Sequence, residues 1–249
     1  MLRMSLYRLA FPLLLFACLT GCTEDFFVDL EPLERDLLGV WVAAERQDTT
    51  SLSIFNDRAQ LIWRRNGRKF AGMTLSREEQ VAIRLTEVWM KGLDEAVEFR
   101  NFRQVDHQLA QLHATLRELR APLVEAHPAD QLYAFDDRWG WVEEISHDQL
   151  MCLVEWSEYE EAFQAAKTTW RHFRTLAPGH AENLFPGLAA TAPEAEITAI
   201  AVDAELVLFE DILSLGNHTL TTETCGTVRQ RFLDHVAVLI GYPEADITL

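Results

Sequence analysis

Lysine is almost missing from this 249-residue chain: it occurs only at Lys69, Lys91 and Lys167, the remainder of the 22 cations being arginine. The short signatures of common chemistries are missing as well. There is no Gly-rich phosphate loop, no dinucleotide Gly-x-Gly-x-x-Gly and no Gly-x-Ser-x-Gly elbow, so the usual nucleotide-binding and serine-hydrolase readings lose their sequence support. No apolar run reaches the roughly 20 residues a membrane-crossing helix needs. Nor is there a low-complexity tail or an internal repeat. Basic charge is scarce overall: 39 Asp+Glu outweigh 22 Lys+Arg for a formal net charge of −17. Such a surface repels nucleic acid and anionic lipid headgroups. A hydrophobic share of 49 % and seven Trp are ample for a packed core.

What is there begins at the N-terminus. Arg3 and Arg8 give a basic start, and Leu9 to Leu19 form an apolar stretch of secretory-signal length. Leu19-Thr20-Gly21-Cys22 follows directly. This stretch resembles the lipobox of bacterial lipoproteins. The resemblance implies removal of residues 1–21 and lipidation of Cys22 with acyl chains such as palmitate. At about 0.8 kcal/mol per buried CH₂, two or three chains anchor a protein permanently. Thr23 stands where an Asp would favour inner-membrane retention, so the resemblance implies the periplasmic face of the outer membrane more than the inner. Loss of Arg3 and Arg8 leaves 20 Lys+Arg against 39 acidic groups, a net of −19. The lipid is therefore expected to be the chain's hold on the membrane.

Four cysteines are present. Cys18 leaves with the signal and Cys22 takes the lipid, so Cys152 and Cys225 remain as a pair in an oxidising compartment. A disulfide between them is expected. It would close a 73-residue loop from 152 to 225, for which the chain-entropy model gives roughly 4 kcal/mol.

Residues 22–37 read as a lipidated N-terminus and acidic tether containing Pro32, and 38–249 as a single folded domain. From about 40 to 75 the pattern suggests antiparallel strands, with Asn66-Gly67 as a type I′ hairpin turn. Gly39-x-Trp41 before such strands is similar to the start of small lipocalin-like barrels, but four strands fall short of the eight that barrel needs. Ser76 and Glu79 then form a capping box. A helix over 77–99 is expected to turn Val81, Leu85, Val88 and Ala96 to one side. Phe102, Val105, Leu109, Leu112, Leu116, Leu119 and Leu123 make an unbroken heptad seam, which with the preceding helix predicts an antiparallel helical hairpin. Residues 131–156 suggest strands again, ending in the alternation Leu150, Cys152, Val154, Trp156. Trp156, Tyr159, Phe163, Ala166, Trp170 and Phe173 return to helical spacing. A helix over 194–215 is expected to face Ile197, Ile200, Ala204, Leu208, Ile212 and Leu215 inward, and a last helix over 222–240 presents Val228, Phe232, His235 and Leu239. The fold class expected is α+β, with two strand regions and about five amphipathic helices.

Candidate chemistry is thin. His235 opposite Asp211 would make a His–carboxylate base, although nothing supplies a nucleophile and a hydrogen-bonded core histidine reads better. Glu143, Glu144, His147 and Asp148 cluster near Trp139 and Trp141, as glycan cleavage by paired carboxylates would require. Neighbouring glutamates on a strand, however, point to opposite faces. His180 and Glu182 lack a zinc spacing, and Asp136-Asp137 lack the remaining calcium ligands. The aromatic stripe from Trp156 to Phe173 would line an apolar pocket if it were not core. No cofactor, metal site or catalytic residue is expected. The leading reading is a non-enzymatic, membrane-anchored envelope lipoprotein acting through a protein partner in the periplasm. An apolar-ligand carrier or sensor with an aromatic-lined pocket stands second, and a cell-wall glycan hydrolase third.

Overall fold

The computed structural model describes residues 30–121, 127–147, 156–176, 184–185 and 188–243. Among them there is no strand, and the expected α+β class is wrong. Eight helices are described: α1 Glu31–Glu45, α2 Thr49–Phe70, α3 Arg77–Glu98, α4 Phe102–Arg120, α5 Pro128–His147, α6 Trp156–Thr175, α7 Leu188–Ser214 and α8 His218–Ile240.

Both supposed strand regions are helical, and the reason lies in period. Leu52, Phe55, Ala59, Trp63 and Phe70 are buried along α2. Their separations of three, four and seven residues put them on one helical stripe. Asn66-Gly67 sits inside this helix and not in a hairpin turn; neither residue has positive φ. Asp48 caps the helix, its carboxylate accepting from the Thr50 and Ser51 amides at 3.1 Å. Likewise Leu132, Phe135, Trp139, Val142 and Ile145 are buried along α5, where strands were expected over 131–156. The alternation Leu150–Val154 lies outside the described residues. The first described helix begins at Glu31, within the stretch read as tether, with Pro32 in its first turn where the missing N–H costs nothing.

The helices pair in sequence order as α1/α2, α3/α4, α5/α6 and α7/α8, each pair closely packed. Between pairs, α1 touches α4 and α8, α2 touches α3, and α5 touches α8. The spatial order is thus α3/α4, α1/α2, α7/α8, α5/α6. This places α1 at the centre, and every residue from Leu33 to Ala44 except Arg35 is buried. Gly39 lets α2 approach: a Cβ there would lie 2.3 Å from the Phe55 ring.

The capping box at Ser76 is present in both directions, at 3.1 and 2.7 Å. The hairpin of α3 and α4 and the seam Val105, Leu109, Leu112, Leu116, Leu119 stand as expected, with Phe102 half-buried and Leu123 outside the described residues. Two faces differ. On α3 the buried residues are Ala82, Thr86, Met90, Leu93, Ala96 and Val97, while Val81, Leu85 and Val88 are exposed. On α7 the core takes Ala199, Val202, Leu206, Phe209 and Leu213, leaving Ile197, Ile200, Leu208 and Leu215 outside. Both helices are apolar on more than one face, so burial followed the side that fits close against a neighbour.

The aromatic stripe of α6 is core. Tyr159, Phe163 and Trp170 have no exposed surface, and they pack with Trp139, Phe209, Phe135 and Phe232 at centroid distances of 5.2 to 6.4 Å.

Candidate acidic cleft between four helices

A cleft of about 690 Å³ opens between α4 and α5 over a floor made by α1 and α8. Asp106, Ala110, His113 and Arg117 recur along α4 at separations of three and four residues, so they share one face beside the buried leucine seam. Asp130, Tyr133, Ala134 and Asp137 do the same on α5. Ala110, Ala114 and Ala134 keep the walls thin. The floor brings Trp41 and Glu45 from α1 and Arg229 from α8. Trp41 stacks against Tyr133 at 5.3 Å, and Tyr133 against His113 at 3.8 Å, giving the cleft an aromatic lining.

One end is held by Arg120 of α4. Its side chain is 3 % exposed and ion-pairs with Glu34 of α1 and Asp130 of α5. His127 Nδ1 lies 3.5 Å from Glu34, and His113 Nε2 lies 3.5 Å from Asp130. Burial pushes His113 down to about 4, with Arg117 adding to it, so this imidazole is neutral at pH 7. Burial lifts Glu31 to about 7 against the pull of Arg120.

The other end is organised by Arg229. It reaches Glu45 at 2.9 Å, Asp136 at 3.0 Å and Glu143 at 3.3 Å. One guanidinium cannot neutralise them all. Burial lifts Asp136 to about 7; Arg229 opposes this, while Glu45, Asp137 and Glu143 add to it. Asp106 is lifted to about 6 by burial and by Glu45. Six carboxylates line the cleft (Glu45, Asp106, Glu118, Asp130, Asp136, Asp137) against two guanidiniums. The cleft is therefore acidic, partly desolvated and aromatic, a combination that suits a cationic group carrying an apolar stem.

The residues singled out from sequence are mostly elsewhere. His235 is buried, but its Nδ1 meets Thr198 Oγ1 at 3.0 Å, and Asp211 is exposed. Burial and Arg174 push His235 down to about 4, so it is a neutral core histidine and not part of a catalytic pair. Glu143 is tied to Arg229, while Glu144 is exposed, because consecutive helical residues diverge by about 100°. Trp139 is buried and Trp141 exposed, so no paired-carboxylate cleft forms there. Asp136 joins the acidic cleft and Asp137 lies at its rim, without a calcium-loop geometry. Among the described residues, no three His, Cys, Asp or Glu side chains converge as a metal would require.

Cys22, Asp148, Cys152, His180 and Glu182 lie outside the described residues. Cys225 is buried on α8, 3.4 Å from Ser146 Oγ, while Cys152, its expected partner, lies outside the described residues. As a thiol, Cys225 is pushed up to about 12 by burial. Among the described residues no helix is long and apolar enough to cross a membrane.

Sequence reasoning missed the cleft because its members come from four helices. A signal was present all the same: Asp106, Ala110, His113 and Arg117 form a polar–small stripe beside an unbroken leucine seam. Comparison with models of known protein families, with curated proteins and with solved structures gives no match.

Proposed function

We propose that this is a bacterial envelope lipoprotein, anchored through Cys22 and facing the periplasm, that works without catalysis by binding a partner protein. The acidic cleft carries this reading. Its lining holds more carboxylate than it can neutralise, and bringing up a cation relieves that imbalance. A basic side chain of a partner supplies the cation, its methylene stem lying along Trp41 and Tyr133 while the charge settles by Asp106 and Asp137. The anchor rests on the lipobox resemblance, with the outer membrane preferred over the inner. The carrier reading loses its site, because the aromatic stripe of α6 is packed.

An affinity pull-down from native envelope tests it, run in parallel with the wild type and with Asp106→Asn/Asp137→Asn. A partner retained by the wild type and lost from the variant is the expected result. A partner retained equally by both removes the cleft from the interaction. Separately, Cys22→Ala should move the protein from the membrane to the soluble periplasmic fraction, and unchanged fractionation would overturn the anchor.

A further inference from the structure

Basic charge is rare in this chain and is not spread evenly. Residues 58–77 hold six of the 22 cations (Arg58, Arg64, Arg65, Arg68, Lys69, Arg77) and no Asp or Glu. Distributed over a meander of short strands they would face several ways. On one helix and the turn that follows, they gather at one end of the molecule. Arg58 is taken up by Asp36 at 2.8 Å; the other five are exposed. Arg64, Arg65 and Arg68 make no ion pair with a carboxylate among the described residues, Arg64 instead donating to the Gln60 carbonyl at 3.2 Å. Exposed apolar side chains lie among them, Leu61 at 63 % and Met73 at 38 %.

The register of the first hairpin places this cluster. Gly39 faces Phe55 and Asp36 faces Arg58 across α1 and α2. The same antiparallel register sets Glu31, where α1 begins, level with Trp63. The last seven residues of α2, from 64 to 70, therefore run past Glu31, the start of α1. At 1.5 Å per residue that overhang is about 10 Å. Cys22 lies eight residues before Leu30, a separation that a chain of any conformation spans by less than about 30 Å.

We infer that this end of α2, with the turn to α3, is a membrane-facing surface that sits on anionic lipid headgroups and orients the anchored body. The inference rests on the lipid anchor proposed above. The anchor holds this end near the bilayer, and the overhang then carries the exposed Arg64, Arg65 and Arg68 to within a Debye length of the headgroups, about 8–10 Å. Lipid chains and a polybasic patch acting together are the usual pair of signals for stable peripheral attachment. Repulsion between anionic lipid and the acidic remainder acts in the same direction, turning the body and its cleft away from the surface.

The test uses the protein as purified from membranes, incorporated into vesicles of either zwitterionic lipid alone or zwitterionic lipid with a third phosphatidylglycerol. Amide hydrogen exchange is followed for residues 61–77, with Arg64→Glu/Arg65→Glu/Arg68→Glu as the comparison. Slower exchange of this segment on the anionic vesicles only, abolished by the triple variant and by 0.5 M salt, is the expected result. Each cation near such a surface contributes about a fivefold change in partition, so neutralising three weakens it on the order of a hundred-fold and reversing them weakens it further. Exchange independent of lipid charge, or unchanged in the triple variant, overturns the inference; an acidic protein face as the true occupant would give that same lipid-independent result. Attachment to anionic vesicles alone, lost on charge reversal, would refute the anchor and sustain the basic surface. Attachment to neither vesicle would refute both.

Discussion

Arg229 of α8 meets Asp136 of α5 at 3.0 Å, yet Asp136 holds its proton up to about 7. Burial and the neighbouring Glu45, Asp137 and Glu143 outweigh the one cation. The linkage follows from the sign. A carboxyl raised in the fold favours the folded state below its ordinary value of 3.8, and that contribution is lost as pH climbs to 7. Asp136→Asn should therefore flatten the fall in stability between pH 4 and 7, by on the order of 1–2 kcal/mol across the window. Urea midpoints at four pH values check this; parallel curves for variant and wild type would contradict it. His113 and His235, both lowered to about 4, act oppositely. Their contribution is present above about pH 6.5 and is lost as pH falls through 4.

Arg120 and Glu34 form the most deeply buried ion pair described, at 3 % and 5 % side-chain exposure. Removing one partner strands the other. Glu34→Ala or Arg120→Ala should each cost about 3–5 kcal/mol, whereas Glu34→Leu/Arg120→Met together should cost much less. Chemical denaturation of the three variants decides whether the pair or only its balance matters.

Gly39 has no room for a methyl group, because the Phe55 ring occupies it. Gly39→Ala is expected to destabilise by about 1–3 kcal/mol through overpacking. Adding Phe55→Leu should recover part of that loss. A double-mutant cycle without coupling would show that the two helices separate freely.

Trp139 has almost no exposed surface and donates its indole N–H to the Cys225 carbonyl at 3.2 Å. Trp139→Ala should cost about 3–5 kcal/mol, read from the thermal midpoint.

The expected Cys152–Cys225 disulfide is tested by alkylation under denaturing, non-reducing conditions. Cys225 lies beside Ser146, six residues before Cys152 in sequence, which brings the pair within chain reach. Two modified thiols would rule out the bond; none is the expected count.

Helices were legible from sequence where the apolar residues formed a single seam. The leucines of α4, the aromatics of α6 and the stripe from Val228 to Leu239 on α8 all took the face their spacing indicated. Around α1 and α2 the pattern misled. Leu37 to Ala44 is apolar in every direction because the helix is central, and a chain buried on all sides shows no period. In α2 the Asn66-Gly67 dipeptide is locally a strong turn signal, but the stripe from Leu52 to Phe70 outweighed it once a neighbouring helix was there to bury it. On α7 two apolar faces competed, and the one with Ala199 and Val202 won because small side chains let α8 come close.

The sequence by itself determined the charge balance, the heptad seam, the helix start at Ser76, the end of the last helix at 240, and the expectation of a lipid at Cys22. These depend on local composition and on spacing within one element. Only the tertiary structure decided that Asp106, Asp136 and Arg229 share a cleft and that the cations of 64–69 overhang the start of α1. Those relationships join residues of different helices, and their distances are set by packing around α1, which no spacing along the chain encodes.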